Sequence, residues 1–139
     1  MIWRGSLFKK WSLTKMNKRI LFVVAVVVLA IVYAYNYAVN SSFRIDAAEA
    51  KRRIQKKEFD IILDVRTDLE RSNLGYYPGS VHVQSADLER KFAPNYRKDA
   101  RILAYCNTGH RARMATDKLH ALGYKNAVYI SSQYTSLLN

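Results

Sequence analysis

Twenty consecutive residues, Ile20 to Val39 (ILFVVAVVVLAIVYAYNYAV), carry no charge and one strongly polar side chain, Asn36. About 20 apolar residues in a helix span the hydrocarbon layer of a bilayer. A soluble core could hold such a run only by surrounding it on all sides. The remaining residues, about 100 by the scaling of buried surface with chain length, are too few for that. The run therefore predicts one transmembrane helix over residues 20–39, with a tail at 1–19 and one soluble domain at 40–139.

The tail holds six of the 23 basic residues and no acid, and Trp3 and Trp11 suit a headgroup zone. A cleaved secretory signal beginning near Met16 is the competing reading. The apolar stretch exceeds a usual signal core, and the small-residue site near Ala38 has Asn36 at its other position, so an uncleaved anchor is favoured. The acid-free tail predicts a cytoplasmic N-terminus. Arg44 and the Lys51 to Lys57 group put comparable charge on the other flank, so the side of the soluble domain stays open.

Net charge is +12, half of it on the soluble part. A moderately basic domain near a membrane can attract anionic headgroups or small anions, and the plainer reading is solubility. No run of interleaved basic and aromatic residues points to nucleic acid. The single cysteine, Cys106, excludes an intrachain disulfide and a CxxC metal knuckle.

After the short linker NSSF, the stretch DAAEAKRRIQKKE reads as a helix, with Asp46 and Glu49 spaced as a capping pair. Its five basic residues fit a solvated face, or else a contact with lipid headgroups. DIILDV (Asp60 to Val65) is an unbroken apolar run of strand length. The polar stretch RTDLERSN and the turn YYPGS follow. Val81 to Val83 and Arg101 to Tyr105 are further strands, with a short helix expected over SADLERKF. Ala112, Ala115, Leu119 and Leu122 recur at helical spacing, Gly123 caps that helix, and Ala127 to Ile130 is the last strand. Strands alternating with helices predict an α/β domain with a mainly parallel sheet between helical layers.

Binding sites in parallel sheets gather at the carboxyl ends of strands. Cys106 ends such a strand, and Asn107, Thr108, Gly109, His110 and Arg111 lead into a helix. Amides in that curl can cradle an anion, and the helix dipole with Arg111 favours thiolate, the nucleophilic form. A lone cysteine at a strand end is more often an inert core residue.

The loop CNTGHR nevertheless resembles the C-x-x-G-x-R active-site loop of rhodanese-like sulfurtransferases. DVRTDLE (Asp64 to Glu70) is similar to that family's D-x-R element. GYYPGSVHV (Gly75 to Val83) resembles its G-H-I-P-G-A-I segment, and LHALGYKNAVYI (Leu119 to Ile130) its closing helix and strand. The resemblance implies a rhodanese-like three-layer sandwich and a persulfide on Cys106. Sulfur would come from a small anionic donor such as thiosulfate and pass to a thiol, cyanide or a protein acceptor, without metal or organic cofactor.

By the same resemblance the amides of residues 107–111 hold the persulfide, and Arg111 orients the loop or meets the donor. His110 is a candidate base, though a side chain facing solvent is the favoured reading. Asp64 and Arg66 form a structural polar pair, since buried charges need partners. Related phosphatases use C-x5-R. The shorter C-x4-R here favours sulfur transfer over phosphatase or arsenate-reductase chemistry, and Arg113, one turn into the helix, cannot enlarge the ring. A non-enzymatic anion- or protein-binding module is the alternative. Tyr76 and Tyr77 replace His-Ile, Arg71 stands where an aromatic residue is common, and ISSQYTSLLN lacks the expected Gly-Gly, which leaves either a short terminal helix or a loose tail.

Overall fold

The computed structural model describes residues 17–138; most of the basic tail, with Trp3 and Trp11, lies outside them. By its internal contacts the chain forms two units, Met1–Ala34 and Tyr35–Asn139.

The helix α1 (Lys18–Val39) fills the apolar run. Among the described residues it is the helix long and apolar enough to cross a membrane. Its large side chains are exposed almost throughout, from Ile20 to Tyr37.

In the second unit, four short strands form one parallel sheet: β1 (Ile61–Asp64), β2 (Val81–His82), β3 (Ile102–Tyr105) and β4 (Ala127–Tyr129), in the spatial order β2-β1-β3-β4. The central pair is in register from Ile61 opposite Ile102 to Asp64 opposite Tyr105. All four residues of β3 are buried, as expected of a strand covered on both faces. Alternation along it sends Ile102, Ala104 and Cys106 to one face, against Ala112, Ala115 and Leu119 of α4 (His110–Ala121). Leu103 and Tyr105 go to the other, with Ala50 of α2 (Ala47–Gln55) and Leu137. The segment beside Arg44 extends the sheet: Tyr129 N–H donates to the Phe43 carbonyl and Ile45 N–H to the Tyr129 carbonyl.

Several local expectations need correction. Asp46 stands at the start of α2, but its side chain makes no capping bond. The capping box occurs instead at α3 (Asp68–Leu74), in the stretch read as merely polar: Thr67 Oγ1 accepts from Glu70 N–H, and Glu70 accepts from Thr67 N–H. SADLERKF forms a 3₁₀ turn, Ser85–Asp87, followed by a single π turn, Leu88–Phe92. The C-terminal segment is no loose tail. It forms a 3₁₀ turn, Tyr134–Leu137, that buries Leu137 and lets Tyr134 donate to the Leu74 carbonyl.

The basic helix α2 joins β1 through only a few residues, so its C-terminal end and the Lys56 and Lys57 that follow it lie at the sheet end where the strands begin. Cys106 lies at the end where they finish. Lys56 and Lys57 therefore lie at the opposite pole of the sheet from the thiol, whereas Lys51 on α2 donates to the Leu138 carbonyl.

Candidate active site

The site is built where β3 runs out. Tyr105 is the last strand residue, Cys106 follows fully buried, and the chain must turn at once to enter α4. Gly109 makes that turn with φ +96°, in the left-handed region. A Cβ there would lie 2.6 Å from the Cβ and 2.7 Å from the Cα of Ser131, so both backbone angle and space demand glycine. The turn aims the Gly109 amide at the thiol: Gly109 N–H donates to Cys106 Sγ at 3.1 Å.

The flanks of the loop are held by Glu70. Arg111 donates through Nη1 to Oε2 at 2.6 Å and through Nη2 to Oε1 at 2.7 Å. Asn107 Nδ2 donates to Oε1 at 2.8 Å. The first and last residues of the loop thus meet on one carboxylate, itself fixed by Thr67. The hydrogen bonds from Arg111 bring the Glu70 carboxyl down to about 2, and the carboxylate in turn holds the Arg111 guanidinium above its ordinary range. Sequence reasoning singled out Arg111 but gave Glu70 no role. The T-x-x-E spacing of Thr67 and Glu70 was a readable capping signal. The pairing with Arg111 was not, because it joins elements 41 residues apart.

The remaining residues are placed as follows. Thr108 is exposed. His110 is also exposed, and its Nδ1 lies 3.3 Å from the Ala38 carbonyl oxygen. Arg113 sits over the Tyr37 ring at 4.6 Å and 3.6 Å from Asp117, engaged away from the thiol.

Asp64 and Arg66 form a fully buried pair beside the loop, with Nε to Oδ1 at 2.9 Å and Nη2 to Oδ2 at 2.7 Å. Arg66 also reaches the Gly75 carbonyl, while Tyr105 and Arg71 donate to Asp64 Oδ2. Burial pushes the Asp64 carboxyl up, yet bonds from Arg66 and Tyr105 outweigh it, and the net position is below the usual range. Burial pushes the Tyr105 hydroxyl up, so it keeps the proton it donates. Arg71, in the position read as commonly aromatic, lies 3.8 Å from the Tyr76 ring and bonds Ser80. Among the described residues no group of three His, Cys, Asp or Glu side chains converges as a metal site.

Residues 46–133, more than half the chain, match the family described as Rhodanese-like domain. The chain belongs to the rhodanese-like family. Its fold, a four-stranded parallel sheet flanked by helices, is the rhodanese fold. A rhodanese-related protein from Thermoplasma volcanium is similar at 26% identity and a TM-score of 0.58, covering 68% of this chain and 89% of that one. The human single-domain sulfurtransferase is similar at 19% identity and a TM-score of 0.60, covering 70% and 96%. A Rhodopseudomonas palustris protein of unknown function, titled a possible tyrosine phosphatase, is similar at 22% identity and a TM-score of 0.61, covering 74% and 84%. The last two share the rhodanese fold with this chain and carry nothing further. No curated protein matches it.

Proposed function

We propose that the protein is a sulfurtransferase that carries sulfane sulfur on Cys106 at a membrane. The observation that carries this reading is the Gly109 amide 3.1 Å from Cys106 Sγ, in a loop held on one carboxylate at both ends. A thiol held by a donor in a turn is set up to stabilise developing negative charge on sulfur.

The proposed step balances without a cofactor. The Cys106 thiolate attacks the outer sulfur of thiosulfate, a new S–S bond forms, the donor's S–S bond breaks, and sulfite leaves with the electron pair. A thiolate or cyanide then attacks the outer sulfur of the persulfide, which restores the Cys106 thiolate. Cys106 is the catalytic residue; the amides of Asn107, Thr108, Gly109, His110 and Arg111 would line the outer sulfur. Arg111 orients the loop through Glu70 rather than standing open to the donor. Asp64 and Arg66 act as a structural pair.

Two features favour sulfur over phosphate. The ring from Cys106 to Arg111 is one residue shorter than a phosphatase cradle, and Arg113 is engaged with Tyr37 and Asp117. The membrane part of the reading is supported by the exposed apolar side chains of α1, which an anchor would bury in lipid. Residues 1–19 would then form a basic interfacial tail, 20–39 the anchor and 40–139 the catalytic domain.

The test is intact mass of the full chain in detergent after incubation with thiosulfate, beside Cys106→Ser. A gain of one sulfur on the parent, removed by cyanide and absent from the variant, supports the carrier. No gain from thiosulfate or from a persulfide donor, in folded protein, overturns it in favour of a binding module.

A further inference from the structure

We propose that His110 is a positioning residue that fastens the sulfur-holding loop to the last turn of α1. It deepens the sulfur-carrier reading and rests on it for what the loop holds.

Two residues define the link. His110 immediately follows Gly109, whose amide meets the thiol, and its Nδ1 lies 3.3 Å from the Ala38 carbonyl oxygen. Ala38 is the penultimate residue of α1, and the last four carbonyls of an α-helix lack a partner within the helix. A carbonyl can only accept, so Nδ1 carries the proton and donates it. A ring committed in this way reads as a tether rather than a general base.

Two further contacts grip the same turn, all within the unit Tyr35–Asn139. Tyr129 Oη donates to the Val39 carbonyl at 2.7 Å, and the Arg113 guanidinium lies over the Tyr37 ring. Val39 is buried. Tyr129 ends β4 opposite Ala104 of β3, two residues before the thiol, while Arg113 is in the first turn of α4. Residues 37–39 are therefore held by side chains from α4, which follows the thiol loop, and from β4, the strand paired with β3.

The loop has little slack elsewhere. Gly109 is pressed on Ser131, and Asn107 and Arg111 are fixed on Glu70. Thr108 and His110 are its exposed members, and of these His110 is the one tied to another element. Releasing the imidazole frees the loop on the side where Cys106 must be uncovered.

The experiment uses the full chain in detergent, at fixed pH. The rate of Cys106 alkylation by iodoacetamide reports loop opening, and amide hydrogen exchange at residues 38–41 reports the grip on the helix end. His110→Ala is expected to speed both several-fold. His110→Asn, whose amide can donate from near the position of Nδ1, is expected to return both toward the parent values. His110→Phe, which keeps a ring but removes the donor to the Ala38 carbonyl, is expected to raise exchange at the same amides and gives a second reading should His110→Ala not fold.

Parent-like exchange and alkylation in His110→Ala would overturn the proposal, as would failure of His110→Asn to restore them. If His110→Ala does not fold, parent-like exchange in His110→Phe overturns it. Alkylation needs no sulfur donor. A chain that takes no sulfur yet shows this pattern keeps the tether and loses the carrier reading.

Discussion

Glu70 and Arg111 meet through two parallel hydrogen bonds of 2.6 and 2.7 Å, and the same carboxylate accepts from Asn107. One residue on α3 therefore holds both ends of the loop that follows β3. Fork-to-fork pairing of this kind fixes geometry as well as charge. Glu70→Ala is expected to lower stability by about 2 kcal/mol, the cost of stranding hydrogen-bonded charge, and to slow sulfur loading of Cys106 at least tenfold. Chemical denaturation followed by circular dichroism, with intact-mass time courses, measures both. Loading at the parent rate would show that the clamp does not shape the loop.

The same carboxylate dictates a pH window. Its folded-state value, about 2, lies below the ordinary 4.5. A depressed acid contributes stability that is fully present above the unfolded value and is lost as pH falls through the folded one. The stability difference between the parent and Glu70→Gln should hold constant above about pH 5 and shrink from about pH 4.5 toward 2. Thermal midpoints of both proteins across that range check the sign; a difference that grows on acidification would contradict it.

Gly109→Ala combines an unfavourable φ with contact on Ser131, for an expected cost of at least about 2 kcal/mol. Ser131→Gly in the same chain should recover only part of that loss. It removes the Cβ that an added methyl would meet at 2.6 Å but leaves the Cα at 2.7 Å. Complete recovery in denaturation midpoints would mean that the backbone angle costs little.

Removing Asp64 leaves Arg66 buried without its counter-charge. Asp64→Ala is expected to destabilise by about 3–5 kcal/mol, the usual result of breaking one side of a buried pair. Reduced yield of folded protein and a lower denaturation midpoint are the readouts. A loss under 1 kcal/mol, about the worth of an exposed ion pair, would show that Arg66 is satisfied by other acceptors such as the Gly75 carbonyl.

Periodicity carried most of the fold. The apolar runs that became β1 and β3, the alanine and leucine spacing of α4, and the unbroken α1 were legible because burial on both faces, or on one stripe, writes itself into the order of residues. Cys106 was legible for a related reason: its strand ends, and a glycine follows where the chain must reverse. Glu70, Arg71 and Ser131 were not legible as parts of the site. Each acts across a tertiary gap, onto Arg111, Asp64 and Gly109 in turn, and no local pattern announces a partner that folding delivers. Asp46 erred the other way, since a spacing suited to a capping box does not oblige the side chain to close it.

The complete burial of Cys106 has one more consequence. A sulfur with no exposed surface cannot be reached by diffusion alone, so any reagent must wait for the loop to part. Under the proposed sulfur-carrier function, loading, delivery and accidental oxidation would share one gate, and the frequency of its opening would set how long a cargo survived between donor and acceptor. On the sulfur-carrier reading the site would be closer to a vault than to a hook, since whatever it held would leave only when the loop opened.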